Sequence, residues 1–144
     1  MPVDFRGQFW HNFDQKNRLF IPAKFRELLG DSFTISMPIS GEKCLYLYPT
    51  EEWLALVDRI KETASGAKLT TIQRLIYMNS DDVEQDKQGR ITVKQNFCEF
   101  AGLDKEVFIM GAGSRIELWN RDNFDAMLEN AKAEGLFNLE SLSY

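Results

Sequence analysis

Two five-residue stretches hold the residue types of an anion-reading turn: Asp14-Gln15-Lys16-Asn17-Arg18 and Asp86-Lys87-Gln88-Gly89-Arg90. Arginine presents a planar fork able to pair both acceptors of a guanine edge, while lysine gives a compact positive contact to guanine or phosphate. The amides of Asn17 and Gln88 donate and accept, which suits adenine or phosphate. Lys16, Asn17, Arg18, Lys87, Gln88 and Arg90 are therefore candidate DNA contacts. A second role competes for part of this set, because a carboxylate four residues before an arginine can close a tight turn as an ion pair. For Asp14 and Asp86 that structural role is the better reading, with Gly89 the third turn-building residue, and an arginine can serve both ends.

No other constellation offers chemistry. His11 is the single histidine, and with Cys44 and Cys98 far apart it builds no metal site. Gly111-Ala112-Gly113 sits between expected strands and lacks the context of a phosphate-cradling loop. Glu51-Glu52 reads as an acidic helix start and Asp81-Asp82 as a solvated loop, not as catalytic carboxylates. No catalytic residue, metal, cofactor or small-molecule substrate is expected. The two cysteines read as buried or half-buried apolar residues of a reducing compartment.

The elements that must position the turns come in duplicate. Residues 14–30 and 86–102 align at an offset of 72, matching Asp14 with Asp86, Arg18 with Arg90, Ile21 with Val93, Phe25 with Phe97 and Gly30 with Gly102. At an offset of 71, Leu45-Tyr46-Leu47-Tyr48 matches Ile116-Glu117-Leu118-Trp119. In each unit Asn17 or Gly89 tolerates a left-handed backbone, a short alternating strand follows, and a one- to two-turn helix ends at glycine. Pro22 suits the first turn of the first such helix. Strands are expected at 33–37, 44–48, 107–110 and 115–119. A longer amphipathic helix closes each half, capped by Thr50 in the first and Asn120 in the second. Residues 64–69 read as a linker, 70–78 as a further helix, and the tail after Gly135 as loosely ordered. Units this short cannot each bury a core, so the halves should pack about a pseudo-two-fold axis, with the two turns on related parts of one surface.

Charge sets a condition. The chain of 144 residues has a net charge of −5, unusual for a dedicated DNA binder. Yet residues 1–30 carry Arg6, Lys16, Arg18, Lys24 and Arg26 against Asp4, Asp14 and Glu27, which leaves the acidity to the remainder. Lys24 and Arg26 flank Phe25 on a short helix and read as a solvated charged face. Arg6 is a weak candidate for an oligomer contact, and Phe5, Phe9 and Trp10 fit core packing better. No apolar run approaches the ~20 residues of a membrane span, and the N-terminus lacks the apolar stretch of a signal peptide, so a cytoplasmic protein is expected.

Phe5-Arg6-Gly7-Gln8-Phe9, Asp14-x-Lys16-x-Arg18-Leu19-x-Ile21-Pro22-Ala23-Lys24-Phe25-Arg26, Leu45-Tyr46-Leu47-Tyr48-Pro49 and Asp86-x-x-Gly89-Arg90-Ile91 together resemble the MraZ family. Ala101-Gly102-Leu103-Asp104-Lys105-Glu106-Val107, followed by Ile116-Glu117-Leu118-Trp119, is similar again, and the likeness spans residues 5–128. The resemblance implies an α+β fold, a duplicated swapped-hairpin β-barrel related to AbrB and SpoVT. It implies repeats at 5–63 and 81–133, a helix-bearing linker at 64–80 and a tail at 134–144. It further implies a nucleoid-associated transcriptional regulator of the bacterial division and cell-wall gene cluster. Such a protein would form ring-shaped homo-oligomers and bind short direct repeats in double-stranded promoter DNA. The competing expectation is a ring-forming assembly module with protein contacts alone. Two residues depart from the family pattern: Lys94 stands where proline is expected, loosening the second helix start while adding charge, and Asn17 stands where glycine is usual.

Overall fold

The computed structural model describes residues 3–136. Along these run β1 (Gln8–Asn12), β2 (Arg18–Phe20), α1 (Ala23–Leu29), β3 (Ser32–Ser36), β4 (Leu45–Pro49), α2 (Thr50–Thr63) and α3 (Gly66–Met78). The second half continues with β5 (Ser80–Glu84), β6 (Arg90–Thr92), α4 (Gln95–Ala101), β7 (Glu106–Gly111), β8 (Ile116–Trp119) and α5 (Arg121–Ala133). The fold is α+β. Six strands form one antiparallel sheet in the order β1-β7-β8-β4-β3-β5, while β2 and β6 pair separately as a two-stranded ribbon. β1 and β5 are the edges of that sheet, so strand pairing leaves it open and does not close it into a barrel.

The duplication is built into the register. In the ribbon, Leu19 pairs with Ile91, flanked by Arg18↔Thr92 and Phe20↔Arg90, so a shift of 72 residues maps the pairing onto itself. β4 and β8 do the same about Tyr46↔Glu117 at a shift of 71. Outer strands are exchanged between the units: β1 of the first pairs with β7 of the second, and β5 of the second pairs with β3 of the first.

Alternation then decides the layers, because successive strand residues face opposite sides. Leu19 and Ile91 on the ribbon's inner face join Ile21, Phe25, Val93 and Phe97 against Leu45, Leu47, Ile109, Ile116 and Leu118 of the sheet. Phe5 and Phe9 both meet Phe25 edge-on, with centroids 5.5 and 5.4 Å away. Trp10 instead lies outside this core, 42% exposed, against Phe108 and under Arg121. The sheet's other face is covered by α2 and α3 through Trp53, Val57 and Ile76 packed on Tyr48. Phe124 and Met127 of α5 cover it through Phe108 and Trp119. Between these clusters the Glu117 carboxylate is buried, accepting from Arg115 Nε at 3.0 Å and Trp119 Nε1 at 2.9 Å.

Several local expectations change. Thr50 does not cap α2; it is the helix's first residue, Pro49 holds the cap position, and its hydroxyl donates to the Ser32 carbonyl at 3.3 Å. Pro22 likewise sits one residue before α1 rather than inside its first turn. Ala64 and Ser65 alone separate α2 from α3, so most of the segment expected as linker is the first turn of α3. Asp81 and Asp82 belong to edge strand β5, where charge discourages pairing with another strand. Lys94 does not loosen α4, which starts at the position equivalent to α1; its carbonyl accepts from Phe97 and Cys98, and its ammonium pairs with Asp81. The short strands shift by one residue at an end, as hydrogen-bond boundaries commonly do. Asn120 caps α5 as expected, accepting from the Asn123 N–H at 2.6 Å, and Cys44 and Cys98 are free and buried. The tail beyond 136 lies outside the described residues.

Leu19 has no exposed surface at the pivot of the ribbon. Leu19→Ala is expected to cost about 2–5 kcal/mol, measured by urea unfolding, whereas a loss under about 0.5 kcal/mol would mean that the ribbon is not part of the cooperative core.

Candidate nucleic-acid interface

Each turn is closed by one aspartate, using the same bonds. The Asp14 N–H donates to the Arg18 carbonyl at 3.0 Å, and its Oδ1 accepts from the backbone of Lys16 and Arg18 at 2.8 and 2.9 Å. Asp86 repeats this with Arg90 at 2.8 Å, and its Oδ1 accepts from Gln88 and Arg90, both at 2.9 Å. The second carboxylate oxygen takes the arginine: Arg18 Nε at 2.6 Å in the first turn and Arg90 Nε at 2.8 Å in the second. Asn17 at φ 56° and Gly89 at φ 79° make the left-handed step. The aspartates and Gly89 thus build the turns, and the ion pairs weighed against DNA contact are present.

Those carboxylates are stabilised in the charged form. Desolvation opposes this at Asp14, but hydrogen bonds from the backbone of Arg18 and Lys16 and from the Arg18 side chain outweigh it. At Asp86 the backbone N–H of Arg90 is the leading cause, assisted by its side chain and by Gln88 against a smaller desolvation. Both carboxyls sit below the usual aspartate range.

The two turns are one surface. Ile21 N–H donates to the Gly89 carbonyl at 2.9 Å and Val93 N–H to the Asn17 carbonyl at 3.0 Å, so each turn is tied to the chain leaving the other. Leu19 and Ile91 point inward, which places Arg18, Phe20, Arg90 and Thr92 together on the outer face. Arg90 Nη1 comes within 4.0 Å of Asp14 as well, and its guanidinium lies 5.8 Å from the ring centre of Phe20, a large apolar residue left 45% exposed. Lys16, Lys87 and Gln88 are exposed around this face. The Asn17 amide is less free, donating to Gln95 Oε1 of α4 at 3.1 Å.

Two residues at this surface escaped the sequence reading. Phe20 falls in the short alternating strand after the first turn, and its residue type carries no signal for an exposed binding face. Arg26, read as part of a solvated helix face, donates from Nε to the Ile21 carbonyl at 3.0 Å and lies across Gly89. A Cβ built on Gly89 would stand 2.6 Å from Arg26 Nη1 and 2.7 Å from its Cδ. The signal was present in the pairing of a glycine in one unit with a long cation in the other. Nothing in a linear pattern says that those positions meet. Burial pushes the thiols of Cys44 and Cys98 up, which disfavours the thiolate form.

The family described as MraZ protein, putative antitoxin-like, matches residues 5–75 and 76–141, dividing the chain within α3. A Desulforamulus reducens protein named Transcriptional regulator MraZ is 38% identical over 134 residues, 92% of each chain. Its namesake in Heliobacterium modesticaldum is 40% identical over 128 residues, 88% of each chain. A third, from Clostridium acetobutylicum, is 38% identical over 121 residues, covering 83% of this chain and 84% of its own.

Two measurements check the turns. Because the folded pKa of each aspartate is lowered, its stabilising contribution is present above the ordinary value of about 3.9 and is lost as pH falls through the lowered value. Carboxyl-carbon NMR titration should therefore give midpoints for Asp14 and Asp86 below that value; midpoints at or above it would contradict the hydrogen bonding. Separately, Gly89→Ala and Gly113→Ala impose the same φ of 79°, but a Cβ at 113 meets nothing within 4 Å. Both should destabilise, and Gly89→Ala should be the worse in thermal unfolding by about the 0.5–1.5 kcal/mol of the Arg26–Ile21 bond that Arg26 gives up in swinging off the new methyl; equal losses would mean that Arg26 is not held across Gly89.

Proposed function

This chain belongs to the MraZ family, whose relatives are named transcriptional regulators, and on that premise we propose that it is a sequence-specific DNA-binding transcription regulator. The observation carrying the proposal is the outer face of the β2–β6 ribbon, where the two turns deliver Arg18 and Arg90 side by side in a chain that is acidic elsewhere. A two-stranded ribbon fits the B-DNA major groove, about 12 Å wide. Each guanidinium is held by Nε on an aspartate, which turns the terminal nitrogens toward the paired acceptors of guanine, although Arg90 Nη1 also lies 4.0 Å from Asp14. Fixing these side chains before binding removes an ordering cost of about 0.5–1.5 kcal/mol each. Lys16 and Lys87 serve as phosphate or guanine contacts. Gln88 is a free amide for base or phosphate, and Asn17 joins it through the acceptor oxygen that its bond to Gln95 leaves open.

One such surface holds few cations against a net charge of −5. Tight binding thus calls for several surfaces acting at once, which favours a homo-oligomer, a ring among them, engaging short direct repeats in promoter DNA by avidity. In this reading the targets are promoters of the division and cell-wall gene cluster and the protein is cytoplasmic and nucleoid-associated. The exchange of outer strands between units is what supports reading each unit as a swapped hairpin of the AbrB and SpoVT kind. No enzymatic role is proposed.

Arg18→Ala should abolish gel-shift binding to promoter DNA at fixed salt while leaving the oligomer's elution volume unchanged. Asp14→Asn should weaken binding although it makes the protein less acidic, because it releases Arg18. Stronger binding by that variant would show bulk charge, not held geometry, at work. Duplexes with tandem repeats at varied spacing should bind in a spacing-dependent manner that fades steeply with salt; equal binding to scrambled duplexes would remove the claim of sequence specificity.

A further inference from the structure

The two turns share a backbone but not what stands over them. At equivalent positions of α1 and α4 lie Arg26 and Cys98, and each donates to the equivalent carbonyl: Arg26 Nε to Ile21 at 3.0 Å, Cys98 Sγ to Val93 at 3.7 Å. Arg26 also sits against the turn of the opposite unit, while α4 meets the first turn through Gln95. Where α1 offers the long arginine, the facing turn has Gly89, whose missing Cβ is the space that the Arg26 stem and guanidinium occupy. Where α4 offers the small cysteine, the facing turn has Asn17, whose side chain reaches Gln95. A long side chain thus lies over a glycine at the second turn, whereas at the first turn an asparagine side chain pairs with Gln95.

We propose, building on the DNA-binding reading above, that Arg26 is a third nucleic-acid-contacting arginine, one that serves the second turn alone and makes the two half-sites of each chain unequal. Its geometry is that of a held cation. Nε is tethered to a backbone carbonyl and the stem lies flat on Gly89, so the rotamer is set before any ligand arrives. Neither terminal nitrogen has a carboxylate within ion-pair distance among the described residues, although Glu27, Asp31 and Asp86 border the same cleft of about 250 Å³. Asp86 is committed to Arg90, and Lys87 borders the cleft as well. A fixed guanidinium with no carboxylate in ion-pair contact among the described residues, beside the cations of a turn, is a place for a phosphate oxygen or a base edge. At the first turn the same place holds a neutral thiol and a satisfied amide pair. A ribbon with true two-fold symmetry would read the two DNA strands alike, whereas this one approaches DNA with a direction: an arginine-rich end and an amide end.

The test uses the full chain and a random-sequence DNA duplex, followed by fluorescence anisotropy across a potassium chloride series. Arg26→Gln should make the slope of log affinity against log salt shallower by about 0.9 for each second turn engaged. Exchanging both partners at once is the second arm, judged for folding because Cys98 is buried. Arg26→Cys with Gly89→Asn should fold, judged by its melting curve, and give the same shallower slope. The reverse pair, Asn17→Gly with Cys98→Arg, should steepen it by a similar amount, a gain that a purely structural arginine would not produce. An unchanged slope in Arg26→Gln and in both exchanged pairs, with binding still lost in Arg18→Ala, overturns this inference and leaves the DNA-binding reading intact. Failure of the unaltered protein to bind any duplex overturns both.

Discussion

The antiparallel pairing of Leu19 with Ile91 is the contact on which the rest of the molecule depends. Three residues on each side make a ribbon too short to stand alone, so its inner face must be buried, and Leu19, Ile21, Ile91 and Val93 are all at most 1% exposed. Once that face is inward, the flanking positions can only turn outward, which carries Arg18 and Arg90 to the surface together. The turns preceding them are then locked by their reciprocal hydrogen bonds to residues 21 and 93. Core burial and cation display are thus two faces of a single register: sliding one strand by a residue would exchange them.

Within that symmetric frame the charged groups do local work. Each aspartate accepts three hydrogen bonds from its own turn, two from the backbone and one from an arginine, so the same carboxylate shapes the loop and aims the cation. On the far face of the sheet, Glu117 plays a comparable part for Arg115 and Trp119, where burial makes an unpartnered carboxylate costly. The acidic excess falls on exposed helices and on edge strand β5.

The repeat was legible because it rests on local chemistry: an aspartate, a left-handed position, an arginine, alternating apolar residues and a terminal glycine must follow in order. The same locality explains the short strands and the glycine-ended helices. What the sequence could not show was which strand pairs with which. Nothing in the residues of β1 and β5 announces that each crosses to the other unit. Thr50 looked like a cap because its residue type suits one, yet its hydroxyl found a carbonyl from β3, a partner 18 residues away. Arg26 looked solvated for the same reason, as its contacts with Gly89 span the two halves. Asp81 and Asp82 read as loop because acidic residues are poor strand formers, and pairing with β3 overrode that preference.

The crossing of β1 and β5 has a bearing on descent. Neither half closes its own sheet: cut between α2 and α3, the chain would leave each piece with an unpaired third strand and a ribbon strand lacking its mate. Every pairing that joins the halves is nevertheless repeated under the 72-residue shift in the ribbon, and nearly so elsewhere. Two copies of a half-length ancestor could therefore have made the same contacts as separate subunits, and fusion into one chain would have changed connectivity without inventing an interface. It did alter what mutation can do. In a paired ancestor a change at one site appears twice, whereas a single chain lets an arginine face a glycine at one turn while the equivalent helix position at the other holds a cysteine.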